Sequence, residues 1–292
     1  MKASEVLTEP PITIEPAASI NEARKIMEHC RIRHLPVVQD QKVVGLVSDR
    51  DILITMGRRQ RQACKPASAA GDEPALPDRV EQIMSAPPHC IGGEAYLDQV
   101  VEMMLEHKIS ALPVMADDGL LGVVTKTDLV GWYTDFCARN PAEPSTTALV
   151  GNCMRQQVIT AQPGDAVGVV VDKMARADVQ HMPIVEQSRV VGIVSDRDLR
   201  RLLGITVRRL DRTRPPPRPD EEGINAATIM TPDPKTARPD DRITDATAIM
   251  LAEKFSALPV LTGDGALAGI ITVTDVIHLV RLLVAAAVAV AS

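Results

Sequence analysis

Four stretches of the chain place a hydroxyl residue three positions before an aspartate: Ser48 and Asp51, Thr125 and Asp128, Ser195 and Asp198, Thr272 and Asp275. Each follows a glycine and two aliphatic residues, at a point where a helix is expected to begin. Ser and Thr are good N-caps at such a boundary, and an acid in the first turn suits the positive helix end. The same arrangement can bind. A carboxylate presents two acceptor oxygens to a pair of hydroxyl donors. The neighbouring hydroxyl and the free backbone N–H groups can hold a phosphate. One such turn alone reads as a helix cap without a ligand; four in one chain point to a repeated unit.

A second motif accompanies each turn. An apolar residue, Pro and an apolar pair recur as Leu35-Pro36-Val37-Val38, Leu112-Pro113-Val114-Met115, Met182-Pro183-Ile184-Val185 and Leu258-Pro259-Val260-Leu261. The turn glycines, Gly45, Gly122, Gly192 and Gly269, follow about nine residues later. A methionine stands upstream in every copy, at Met27, Met104, Met174 and Met250, and is expected in the core. The glycines are separated by 77, 70 and 77 residues, and alternate copies by 147. Odd copies share His34 or His181 and the run Ser-Asp-Arg-Asp; even copies share Ser-Ala-Leu-Pro and Thr-x-Thr-Asp. The duplicated unit is therefore a pair of unlike repeats.

Each copy predicts the same elements. In the first, Ser19 and Glu22 form a capping box, and Ala23, Ile26 and Met27 mark the apolar face of a helix. A short strand follows at Pro36–Val38, then a turn at Asp40-Gln41 and a second strand at Val43–Val47. Continuous aliphatic runs predict strands buried on both faces. Residues 57–79, 138–150 and 204–223 are polar or rich in Arg and Pro, and read as solvated linkers.

Composition narrows the function. The chain has 292 residues, enough for about two domains. A net charge of −6 argues against a dedicated nucleic-acid binder. The few aromatics (Trp132, Tyr96, Tyr133, Phe136 and Phe255) are too scattered for a base-stacking surface. Cys30, Cys64, Cys90, Cys137 and Cys153 form no C-x-x-C pair, so neither a zinc cluster nor a disulfide framework is expected, and a reducing cytoplasm is the expected location. No secretory signal is read at the N-terminus. The apolar run Leu282–Ala291 is too short for a membrane span; it is read as the end of the last helix.

The four paired motifs resemble the cystathionine-β-synthase (CBS) domain, over nearly the whole chain. The resemblance implies an α/β fold: four CBS repeats, each a small three-stranded sheet with two helices, paired into two pseudo-twofold Bateman modules. Module 1 would span 1–137, with repeats at about 1–56 and 80–137. A linker, 138–150, would lead to module 2 at 151–292, with repeats at about 151–203 and 224–292. Members of the family sense adenine nucleotides. The resemblance thus implies AMP, ADP or ATP as regulatory ligand, with S-adenosylmethionine or cyclic di-AMP as further possibilities. Asp51, Asp128, Asp198 and Asp275 would hold the ribose. Ser48, Thr125, Ser195 and Thr272 would sit beside ribose or phosphate, with Arg50, Lys126, Arg197, Arg33, His34 and His181 as phosphate partners. The bland readings are local ion pairs for the arginines and satisfied core histidines. In copy four, Val273 stands where copy two has Lys126 and the strand position reads Ser256-Ala257, so no phosphate partner is read there and the fourth site is the weakest carry-over, unless a basic residue arrives from copy three.

The expected function is a non-catalytic sensor that signals to an unidentified target protein, with a homodimer expected. No G-x-G-x-x-G, Walker-type loop or Ser/His/Asp order is found, and a catalytic barrel needs about 250 residues. The alternative is an oligomerisation scaffold with empty sites; a minor variant uses the Arg clusters for nucleic acid.

Overall fold

Helix α1 (Ile20–Cys30) starts where Ser19 Oγ accepts the Glu22 N–H at 3.1 Å, and it buries Ile20, Ala23 and Met27. It stops at Arg31, whose φ of 54° is left-handed. Strands β1 (His34–Gln39) and β2 (Lys42–Ser48) form an antiparallel hairpin. Its two turn residues, Asp40 and Gln41, have φ of 49° and 62°, the double positive φ of a hairpin turn matched to strand twist. Helix α2 (Asp49–Cys64) follows directly. The computed structural model describes residues 1–64, 76–141, 147–203 and 224–291.

The plan recurs. Copy two has β3 (Ile91–Gly92), α3 (Leu97–Glu106), β4 (Ala111–Ala116), β5 (Gly119–Thr125) and α4 (Lys126–Arg139). Copy three has α5 (Val150–Cys153), α6 (Val167–Ala177), β6 (His181–Glu186), β7 (Arg189–Ser195) and α7 (Asp196–Leu203). Copy four has α8 (Ala226–Ile229), β8 (Thr231–Pro232), α9 (Ile243–Glu253), β9 (Ala257–Leu261), β10 (Leu267–Thr272) and α10 (Val273–Ala291). In every copy a lead segment ahead of the first long helix pairs in parallel with the first hairpin strand: Ile14 with Val37, Ile91 with Val114, Ala161 with Ile184, and Ala237 with Val260. In copy two this segment is the strand β3, giving a three-stranded sheet; in the other copies it is a single bridge beside the two-stranded hairpin. The four repeated methionines are all buried.

Two expectations change. The first hairpin strand is continuously buried in every copy, and β10 is so over Gly269, Ile270 and Ile271; β2, β5 and β7 instead alternate along their second halves, since one face of each is only partly covered. Residues 57–64, expected as linker, continue α2. Arg and Gln are good helix formers whatever their polarity. The remaining linker positions 65–75, 142–146 and 204–223 lie outside the described residues.

Each lead also crosses to the other repeat of its pair. Thr8 bridges Val123, Ser85 bridges Leu46, Arg155 bridges Ile270 and Thr231 pairs with Ile193. All four partners follow the turn glycine. The glycine is needed because the crossing chain lies against it. A Cβ on Gly122 would come 2.5 Å from Leu7 Cδ1 and 2.6 Å from the Thr8 carbonyl oxygen; on Gly269 it would come 2.5 Å from Met154 Sδ and 2.8 Å from the Arg155 carbonyl oxygen. Gly45 and Gly192 are covered by Met84 and Met230.

Helices join the two pairs. α2 packs on α7, and α4 packs on α9 and α10. Copies two and four share one apolar core, in which Leu129 and Tyr133 meet Ile243, Met250 and Ile277. Within it Thr134 Oγ1 lies 2.8 Å from Thr247 Oγ1. Copies one and three keep separate cores. Among the described residues no helix is long and apolar enough to cross a membrane.

Candidate functional site: four capped turns

The four hydroxyl–aspartate turns share one geometry. The second hairpin strand ends on the hydroxyl residue, and the next helix begins one residue later. Asp51 Oδ2 accepts the Ser48 N–H at 3.0 Å and the Ser48 hydroxyl at 2.6 Å. The matching distances are 2.7 and 2.7 Å for Thr125 and Asp128, 2.8 and 2.6 Å for Ser195 and Asp198, and 2.9 and 2.6 Å for Thr272 and Asp275. In the last three the hydroxyl accepts the aspartate N–H in return, at 3.3–3.4 Å. This reciprocal bonding satisfies helix-start donors and orients the carboxylate with Oδ2 occupied.

The other oxygen differs between odd and even copies. Thr8 Oγ1 donates to Asp128 Oδ1 at 3.4 Å, from the lead of copy one. Arg155 Nε lies 3.4 Å from Asp275 Oδ1, from the lead of copy three. Thr8 and Arg155 are 147 residues apart, the duplication period. Arg155 is the basic residue that copy four lacked, and it arrives from copy three. Among the described residues Oδ1 of Asp51 and of Asp198 accepts no hydrogen bond. Burial pushes the Asp128 carboxyl up, against the hydrogen bonds from Thr125 and Thr8 that pull it down.

The basic candidates are distributed differently. Arg33 Nη2 donates at 2.9 Å to the carbonyl of Lys254, the residue that closes α9 in the other module; burial lowers its pKa. Arg197 pairs with Asp49 at 3.2 Å, joining copies three and one. Arg50 stands beside Asp49 at the start of α2 and contributes to the field at His34. Lys126 opens α4, which packs on α10, and acts on His278 together with Arg281 and Arg155. Burial is the main reason the His278 ring is pushed down.

His34 and His181 meet serines rather than open solvent. Each Nε2 lies 3.1 Å from a serine Oγ of the paired repeat, Ser110 for His34 and Ser256 for His181. Burial pushes each ring down to about 4, so both are neutral at pH 7. A neutral ring can give a phosphate one N–H but no charge.

Several contributors were missed by sequence reasoning. Thr8 and Arg155 lie outside every motif, and only the 147-residue register could have paired them. Asp196 and Arg200 form a buried ion pair at the start of α7, 2% and 6% exposed at their side chains. Ser110 and Ser256 were visible as marks of the even copies, but not as partners of the odd-copy histidines. Among the described residues no cluster of His, Cys, Asp and Glu could hold a metal ion.

The CBS domain family model matches four segments of the chain, residues 3–57, 80–135, 150–205 and 226–282. An uncharacterized protein of Methanocaldococcus jannaschii, MJ1225, is 26% identical over 274 residues, covering 91% of this chain and 94% of that protein. An uncharacterized 33.4 kDa protein from a ribosomal RNA operon of Thermofilum pendens is 27% identical, covering 92% and 87%. The crystal structure of MJ1225 superposes with a TM-score of 0.69 at 24% identity, covering 95% of this chain and 99% of that one. MJ1225 has been suggested to be an archaeal homologue of the γ subunit of AMP-activated protein kinase.

Proposed function

The chain belongs to the CBS domain family, and from that premise we propose that it is a non-catalytic regulatory protein: it binds an adenine nucleotide in clefts between paired repeats and signals to a partner protein. The observation that carries this is the junction of cap and lead. A carboxylate fixed through Oδ2 offers ribose hydroxyls the whole of Oδ1 at Asp51 and Asp198, and at Asp128 and Asp275 the remaining lone pair of an Oδ1 that already accepts from Thr8 or Arg155 of the crossing lead. A ligand there touches both repeats, so it favours one packing over another by its differential affinity for the two. The ligand class is AMP, ADP or ATP, with S-adenosylmethionine and cyclic di-AMP as the compounds to compare. The modules run from 1 to 137 and from 151 to 292.

One observation favours the scaffold alternative. The four aspartates already serve as helix caps, which is a sufficient structural reason for them. Equilibrium dialysis of ligand-free protein against the five compounds separates the two. Saturable micromolar binding of at least one supports the sensor. No binding of any contradicts it and leaves the scaffold.

A further inference from the structure

We propose that the two modules are joined by a hinge and a latch: the side where α4 meets α9 and α10 is the permanent joint, and the side where α2 meets α7 is a salt-sensitive edge that opens. The proposal concerns the ligand-free chain and does not depend on nucleotide binding.

On the even side the modules share one apolar core. Val130 and Tyr133 of α4 are buried in the same cluster as Met250 of α9 and Ile277 and Val280 of α10. Opening that side would return the shared apolar surface to water, at a cost that grows with its area. It would also part Thr134 from Thr247.

The odd side is built differently. α2 and α7 lie against each other, yet among the described residues no buried apolar cluster joins the modules there. Ile52 of α2 belongs to the core of module 1 and Leu199 of α7 to that of module 2. Among the described residues the buried polar side chains are Thr55 on α2, Asp196 and Arg200 on α7, and Thr247 on α9.

The capped aspartates fix the register of the four helices. Two residues after them stand Leu53, Val130, Arg200 and Ile277; two residues before them stand Asp49, Lys126, Asp196 and Val273. Copy three thus carries a buried ion pair, Asp196 with Arg200, at the positions where copy four has Val273 and Ile277. Desolvation offsets much of the attraction in a buried ion pair, so it stabilises a joint less than apolar residues of similar volume.

A direct link across the odd side is Asp49 with Arg197 at 3.2 Å, with side chains 24% and 51% exposed. Exposed ion pairs are weak and are screened by salt. Two further contacts between the modules, Arg33 with the Lys254 carbonyl and Lys108 with Asp178 at 3.7 Å, are polar as well. One side is held by apolar area and the other by charge. Separation therefore begins at α2 and α7 and turns about α4 and α10.

Hydrogen exchange of the full ligand-free chain at low and high salt tests this. The eight residues of α7 are too few for a helix that stands alone, so its amides report whether α2 stays beside it. Between about 0.05 M and about 1 M NaCl, exchange in α2 and α7 should rise while exchange in α4 and α10 stays unchanged. The expected rise is about twofold to fivefold, the weight of one exposed ion pair. Arg197→Gln should reproduce the rise at low salt, and Arg197→Lys, which keeps the charge, should restore the protection. Equal salt dependence in both sets of helices, a rise confined to α4 and α10, or no rise in either overturns the proposal. Unchanged exchange in Arg197→Gln overturns it as well.

Discussion

The imidazole of His34 lies with Nε2 3.1 Å from Oγ of Ser110, and the pair repeats at 3.1 Å between His181 and Ser256. Each contact joins the two repeats of one module. It also explains two sequence marks at once: the histidine that distinguishes odd copies and the serine that distinguishes even ones are partners.

These histidines give the protein an acid-sensitive stability. Both rings are pushed down to about 4 by burial, below the ordinary 6.5. As pH falls below 6.5 the unfolded chain takes up protons that the folded chain refuses. Their contribution is therefore complete above 6.5 and is lost between 6.5 and 4, at up to about 1.4 kcal/mol per pH unit for each histidine. Urea unfolding at pH 7 and pH 5, compared with His34→Gln and His181→Gln, measures this. The variants should show a shallower fall; identical slopes would exclude the histidines as its source.

Removing the serine partner leaves the ring nitrogen without its bond, at a part-buried contact for His181 and an exposed one for His34. Ser256→Ala should cost about 1–3 kcal/mol, and Ser110→Ala, at the exposed contact where water can reach the ring, about 0.5–1.5 kcal/mol, read from the shift in urea midpoint. A change below a few tenths would show that water replaces the hydroxyl freely.

The turn glycines should not be equivalent. Gly122→Ala meets the backbone oxygen of Thr8 at 2.6 Å, whereas the contacts of Gly192→Ala are with the Met230 side chain. Backbone must move in the first case, at about 1–3 kcal/mol. A methionine can adopt another rotamer in the second, at a smaller cost. Unfolding midpoints of the two variants should fall in that order, and the reverse order would contradict the packing described.

The two ion pairs of the odd copies should differ more. Arg197 is half-exposed, so Arg197→Gln should cost about 0.2–1 kcal/mol and less at high salt. Arg200 and Asp196 are buried, and Arg200→Ala strands a carboxylate at about 3–5 kcal/mol. Denaturant curves at low and high salt separate the two cases.

Local features were legible in the chain. Ser19, Thr125 and the other cap hydroxyls, the Asp40-Gln41 turn and the four core methionines follow from nearest neighbours and periodicity, and the structure places them accordingly. The crossing leads were not. Thr8 and Asp128 are separated by 120 residues, and a threonine in an irregular segment carries no pattern of its own. Arg155 was not legible: the sequence showed only that copy four lacks a basic residue of its own, and nothing local distinguishes Arg155 from other exposed arginines. The extension of α2 to Cys64 was hidden by composition, since polar helix formers read equally as linker.

Hydrogen exchange of the full chain with and without saturating ATP tests the central claim most directly. A ligand bound where the leads cross should slow amide exchange around Thr8 and Arg155 and alter it in α4 and α10, through which the modules meet. Exchange that stays unchanged at every peptide under saturating ATP, and equally under saturating ADP and AMP, would contradict a nucleotide sensor.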